Sequence, residues 1–173
     1  MHLPFLSIPT FYIICIVLVA LCILDILYIT IVSPKLNISR VKGKIEKSFK
    51  GDKKYMLVKS KVDGADLKLI YDDKDYYIKV VPVKDGCDLQ INNIDTFVMY
   101  TKYGNNMKNK VMNDMSDFMN SKMENRIIML SSNAKTIKKV INECEMIMVD
   151  NNTNVYNTKV INYNQIENFI NNL

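Results

Sequence analysis

The chain has no tryptophan, one histidine (His2) and only five glycines among 173 residues. Each scarcity removes a class of chemistry. With no histidine after residue 2, Ser–His and Cys–His nucleophilic pairs are excluded, and a zinc site has no imidazole to draw on. Five glycines leave no G-x-x-x-x-G-K-[ST] loop, no G-x-G-x-x-G turn and no G-x-S-x-G elbow. The four cysteines (Cys15, Cys22, Cys87, Cys144) show no metal-ligand spacing, and a disulfide between Cys87 and Cys144 would conflict with a reducing compartment.

Charge is missing from one region as well. Residues 1–34 hold one charged side chain, Asp25, while all 23 Lys and Arg and 17 of the 18 acidic residues follow, a net of +6 over 139 residues. Heavy use of Asn, Ile, Lys and Met looks like AT-rich coding, as in a low-GC bacterium. That bias also inflates the lysine count, so the excess positive charge is compatible with solvated lysines as much as with an anionic partner.

What fills the uncharged region is Phe11–Ser33, FYIICIVLVALCILDILYITIVS, bracketed by Pro9 and Pro34. Twenty-three helical residues span roughly 34 Å, enough for a hydrocarbon core of about 30 Å. No Lys or Arg precedes the run, it exceeds the length of a signal-peptide core, and no A-x-A site follows. VALC ends on Cys22 like a lipoprotein box, but Leu21 stands where a small residue is needed. An uncleaved single-pass anchor is therefore expected. Lys35, Arg40, Lys42 and Lys44 follow the span directly and form a basic membrane-interface cluster. The positive-inside rule then puts the N-terminus outside and the C-terminal domain in the cytoplasm of a cell-membrane protein.

Asp25 is the exception inside the span. A carboxyl deep in a transmembrane helix costs about 2.5–3.5 kcal/mol on insertion scales. Cys15, Leu18, Cys22, Asp25, Ile29 and Val32 follow the 3-4-3-4-3 spacing of one helix seam. A homo-oligomer or a membrane partner contacting Cys15, Cys22, Asp25 and Ile29 would pair that carboxyl; protonation or local bilayer thinning would serve as well.

The expected organisation is a short extracytoplasmic segment (1–10), the transmembrane helix (11–33), a basic juxtamembrane helix (34–50) and an α/β domain (51–173). Ile38, Val41, Ile45 and Phe49 make one apolar stripe on the juxtamembrane helix, which packing on the domain explains better than lipid contact. Tyr55–Val62, Ala65–Tyr71 and Tyr76–Val83 read as strands joined by Asp63-Gly64 and by residues 72–75 as hairpin turns. A fourth strand is expected at Leu89–Ile91 or Thr96–Tyr100. Met107, Val111, Met115 and Phe118 predict a helix ending near Met123, and Arg126–Leu130 a buried strand. Asn133 is expected to cap a helix bearing Ile137, Val140, Ile141 and Cys144, followed by a buried strand Met146–Val149 and a short one at Lys159–Asn162. Asn164 and Glu167 predict a capping box on a last helix with Ile166, Phe169, Ile170 and Leu173 inward. The fold class is mixed α/β, a mixed sheet covered by helices.

The segment DGADLKLIYDDKDYYIKVVPVKDG, with RIIMLSS and VINYNQIENFI further on, resembles the nuclease-related domain (NERD), a branch of the PD-(D/E)XK restriction-endonuclease-like fold, over most of Lys42–Leu173. The resemblance implies that Asp66 stands at the family's first acidic position and Tyr76–Val81 at its IEVK strand. Lys79 then occupies the Glu position and Val81 the Lys position. Such enzymes need Asp and Glu to hold a divalent cation and a Lys to position the attacking water. A register slipped by two places Lys79 correctly but sets Tyr77 where the carboxylate belongs.

The leading expectation is thus a membrane-anchored cytoplasmic binding or scaffold module with a catalytically inactive nuclease-like fold and no cofactor. The enzyme alternative is a membrane-tethered nuclease that uses Mg²⁺ at Asp66 with Asp63 or Asp75, Lys79 assisting. A third is nucleic-acid binding without cleavage, through Lys59, Lys61, Lys68 and Lys79 with Tyr71, Tyr76 and Tyr77; lysines on an exposed sheet face account for the same pattern.

Overall fold

The computed structural model describes residues 8–49, 54–62, 64–103, 106–112, 114–150 and 153–173. Asp63 lies outside the described residues, as do His2 and residues 151–152 of the Asn-rich turn. The chain divides into two compact units, Met1–Leu36 and Asn37–Leu173.

The first unit is dominated by α1 (Ile8–Leu27), in which Pro9 sits in the first turn, where its missing N–H costs nothing. From Phe11 to Val32 every side chain except that of Cys15 is exposed, apolar residues included. Among the described residues one helix, Thr10–Ser48, is long and apolar enough to cross a membrane. It does not stop at Pro34 as expected. Tyr28–Val32 forms a π-helical turn, and Ser33 donates its N–H to the Tyr28 carbonyl five residues back. That widened turn accommodates a proline that has no N–H of its own and whose ring crowds the preceding carbonyls. It also alters the seam. Ile29 and Val32 lie inside the π turn, so only Cys15, Leu18, Cys22 and Asp25 keep α-helical spacing along one face.

In the second unit, α2 (Ser33–Ser48) buries Val41 and Ile45, with Ile38 and Phe49 packed beside them, as the apolar stripe predicts. β1 (Tyr55–Lys59), β2 (Leu67–Tyr71) and β3 (Lys74–Val81) form the expected antiparallel meander. Asp72 and Asp73 have φ of 50° and 57°, the left-handed pair that a two-residue type I′ hairpin requires. β4 (Cys87–Ile91) and β5 (Phe97–Tyr103) are both present and pair antiparallel.

Two expected helices are strands instead. β6 (Asn106–Met112) pairs with β5 along seven residues, leaving only α3 (Ser116–Met119) of the helix expected to end near Met123. β8 (Ala134–Asn142), which follows the expected β7 (Arg126–Leu130), replaces the helix after Asn133. Its register shifts between Val140 and Asn142, and such a bulge breaks the two-residue period. The helix-like spacing of Ile137, Val140, Ile141 and Cys144 marks no single face, for Ile137 is buried, Val140 half-buried and Ile141 and Cys144 exposed, and β-branched side chains favour the pleated chain. β9 (Glu145–Met148) is a strand but not a buried one: all four residues are exposed. β10 (Asn154–Val155) and β11 (Thr158–Ile161) close through a second left-handed pair, Tyr156 and Asn157. α4 (Ile166–Asn171) buries Ile166, Phe169 and Ile170. Its approach is capped by Asn162 rather than Asn164, because a 3₁₀ turn at Tyr163–Gln165 precedes it and Asn162 accepts the Tyr163 N–H.

The strands make two sheets, β1-β2-β3-β7-β11-β10 and β6-β5-β4-β8-β9. In the first, β3, β7 and β11 run parallel; in the second, β4 and β8 do. β7 shows why the order holds. Ile127 and Met129 point to the core under α2 and α4, Ile128 and Leu130 to the core between the sheets, and all four are buried. A strand buried on both faces needs the continuous apolar run that RIIML supplies. The unit is therefore a helix layer, a six-stranded sheet and a five-stranded sheet. All four cysteines are free, with Cys87 buried and Cys144 exposed, so no disulfide joins them.

Candidate functional site

Pairing of Leu67 with Ile78 sets the geometry of the suspected site. One step further along, Asp66 lies opposite Lys79, and the Asp66 N–H donates to the Ile78 carbonyl at 2.9 Å. Lys79 shares with Tyr77 and Val81 the face of β3 that looks toward the second sheet, since Ile78 and Val80 point to the helix layer. The Asp66 carboxylate accepts the Val80 N–H at 2.7 Å, and the Lys79 ammonium stands 4.0 Å from the same oxygen. Both side chains are mostly buried, 22% and 16% exposed.

Burial pushes the Asp66 carboxyl above the ordinary carboxylate range, and the nearby Asp114 carboxylate adds to this; the Val80 N–H, Lys79 and Lys59 work against it. The folded chain holds this proton more tightly than the unfolded chain does. Asp66's contribution to stability is thus fully present below the ordinary carboxylate value of the unfolded chain and is lost as pH rises through the higher folded value.

Lys79 also lines a cleft of about 370 Å³ between the two sheets, with Pro82, Lys110, Met112 and Asp114. The chemistry available there is limited by the neighbours. Val81, set by the resemblance where such nucleases carry a lysine, is 1% exposed in the core between the sheets. Asp75, the other carboxylate considered, is 2.6 Å from the Lys68 ammonium at the hairpin end of β2–β3. Among the described residues no three His, Cys, Asp or Glu side chains cluster as a metal set.

The lysines and tyrosines considered for nucleic acid fall on two faces. Tyr71 and Tyr76 pack toward the helix layer, while Tyr77 packs toward the second sheet. Of the basic interface cluster, Lys35 is exposed, but Lys42 pairs with Glu46 at 3.7 Å and Lys44 with Glu167 at 3.6 Å. Arg40 donates to the Ser131 carbonyl at 3.5 Å.

Two side chains that sequence reasoning passed over organise this unit. Arg126 donates to the carbonyls of Phe118, Met119, Ser121 and Tyr156, fastening α3 and the β10–β11 turn. Asn162 pairs its amide with both backbone groups of Ala134, at 2.9 and 2.7 Å, and so links the two sheets. Polar residues beside apolar strands were the available signal, but their partners are 5 to 30 residues away in sequence.

No family model matches the chain, and no curated protein or solved structure is found to be similar to it.

Proposed function

We propose that this chain is a membrane-tethered binding or scaffold module whose domain carries a nuclease-like but catalytically inactive site. The observation that carries the reading is the Lys79 ammonium 4.0 Å from the Asp66 carboxylate, where a metal centre would need a second carboxylate. A fixed positive charge there opposes a dication directly. The meander β1–β2–β3 with β7 parallel beside β3 supports the nuclease-like part of the reading. In the rival reading, Asp66 holds Mg²⁺ with Asp63 or Asp75 and Lys79 assists at the attacking water.

The full chain in detergent micelles, incubated with plasmid DNA and Mg²⁺ or Mn²⁺, distinguishes the two. No metal-dependent cleavage is expected. Cleavage that disappears in Asp66→Ala would replace this reading with the enzyme.

The tether extends the proposal. The apolar span anchors the chain in the cell membrane with the domain on the cytoplasmic side, as the basic residues after the span favour. Within the bilayer, Asp25 hydrogen-bonds across a helix–helix contact that includes Cys15 and Cys22. Asp25→Leu is expected to reduce the oligomer size measured by light scattering in detergent; an unchanged size would remove that contact.

A further inference from the structure

The two sheets have four outer strands, and three of them carry the devices that keep an edge from pairing. β1 follows Lys54 and ends on Lys59, β6 carries Lys108 and Lys110, and β10 is two residues long. β9 is different. Among the described residues it pairs with β8 alone; its one charged residue is Glu145 at its start, it contains no Lys, Arg or Pro, and it exposes Met146, Ile147 and Met148 by 51%, 37% and 59%. An exposed apolar edge without a guarding lysine or proline is a template for another strand.

The register with β8 says which backbone groups face away from it. β8 and β9 pair Lys139 with Ile147 and Lys138 with Met148, and the Val149 N–H donates to the Ile137 carbonyl at 2.9 Å. Antiparallel alternation then turns the N–H and C=O of Ile147 and Val149 toward β8, and those of Met146 and Met148 outward.

From this we infer that β9 is a homodimer interface, pairing antiparallel with β9 of a second copy about a two-fold axis through Ile147. A two-fold axis normal to a sheet keeps like residues on the same face, so the axis must pass through a residue. Centred on Ile147, the arrangement sets Met146 opposite Met148 of the second copy, and the reverse. Both are residues whose backbone groups point outward, so the two pairs exchange four N–H···O=C bonds. Ile147 meets its own mate in a non-hydrogen-bonded pair, with Cα atoms about 4.5 Å apart. Glu145 faces Val149, so no acidic residue opposes another. The β8–β9 sheet thereby continues into a closed, isologous assembly, whereas pairing of β9 with the lysine-bearing β6 would propagate without closure.

The occupant is a second copy because the strand is complementary to itself in this register: apolar side chains meet apolar ones, and each outward backbone group meets its counterpart. The geometry does not depend on the functional reading above. Only the strength of the contact does, because confinement to one bilayer raises the effective concentration of a weak four-residue pairing.

The test uses the full chain with Cys15, Cys22 and Cys144 changed to Ser and Cys87 to Ala, reconstituted at low density in phosphatidylcholine vesicles and oxidised with copper phenanthroline. Ile147→Cys should cross-link to a dimer, since a 4.5 Å Cα separation suits a disulfide. Gln90→Cys, on the central strand β4, should stay monomeric. Adding Met148→Lys, or Met146→Lys as a second variant, should cut the Ile147→Cys yield about tenfold, the effect of roughly 1.4 kcal/mol. Both methionines are exposed in the monomer, so neither change disturbs its core. Asp25→Leu should leave the β9 cross-link detectable. The proposal fails if Ile147→Cys does not cross-link, if Gln90→Cys cross-links equally, if both lysine variants leave the yield unchanged, or if Asp25→Leu alone abolishes it. None of these outcomes bears on DNA cleavage, so this proposal and the functional one fail separately.

Discussion

Phe118→Ala is expected to destabilise the domain by about 3–5 kcal/mol, the usual range for emptying a fully buried aromatic site. Phe118 has no exposed surface and stands in the core between the sheets with Met115 and Met119. It belongs to a helix of four residues, which cannot hold its place by its own hydrogen bonds. What keeps α3 seated is this apolar side chain and the Arg126 guanidinium that binds the carbonyls at its end. Small domains have only about 5–15 kcal/mol to lose, so this one change removes a large share. Urea unfolding of the full chain in detergent, followed by tyrosine fluorescence, should show the midpoint falling steeply. Met107→Ala provides the contrast. Met107 is 68% exposed on β6, and its loss should cost less than about 0.5 kcal/mol. One apolar helix stripe containing both residues would predict comparable losses.

Gly64→Ala is the second large effect. Gly64 has φ +82°, and a Cβ there would lie 2.7 Å from the Phe118 nitrogen, 2.9 Å from its Cα and 3.0 Å from the Asp117 carbonyl carbon. All three are backbone atoms, so no side chain can swing aside. The left-handed conformation alone costs a non-glycine residue about 1–2 kcal/mol. Forcing α3 away adds an overpacking penalty of about 1–3 kcal/mol. Gly86 separates the two contributions, because it also has positive φ, +69°, but nothing lies within 4 Å of its Cβ position. Gly86→Ala should therefore show only the conformational cost. Equal losses at both positions in the same unfolding experiment would mean that α3 yields freely, contrary to its packing.

Much of the helix layer and of the first sheet was legible along the chain. The stripe Ile38, Val41, Ile45 and Phe49 identified α2's buried face, and RIIML identified a strand covered on both sides. Where the reading failed, long-range pairing overrode local period. Met107 and Val111 follow a helical spacing with Met115 and Phe118, yet β5 offers β6 seven cross-strand partners, and the chain turns helical only at Ser116. β8 was missed because its apolar residues are split between a buried Ile137 and an exposed Ile141, and β9, read as buried, is an edge because among the described residues the sheet ends with it.

At the candidate site, the residue types were visible but their balance was not. A D-x-K segment and a lysine on the next strand say nothing about which charge dominates. Only the register Leu67↔Ile78 brings Asp66 and Lys79 together, and it is the fold that sets burial, which raises the carboxyl's proton affinity most, against the Val80 N–H and Lys79, which lower it.

The sequence by itself determined an apolar helix long enough to cross a membrane, with every charged side chain but Asp25 in the chain beyond it, because solvent preference is written into side chains one at a time. The tertiary structure decided that this helix continues past Pro34 through a π turn, that two amphipathic stretches are strands, and that β9 is left as an unguarded edge. Those outcomes depend on which segments find backbone partners, and hydrogen-bond partners distant in sequence are chosen only when the chain folds.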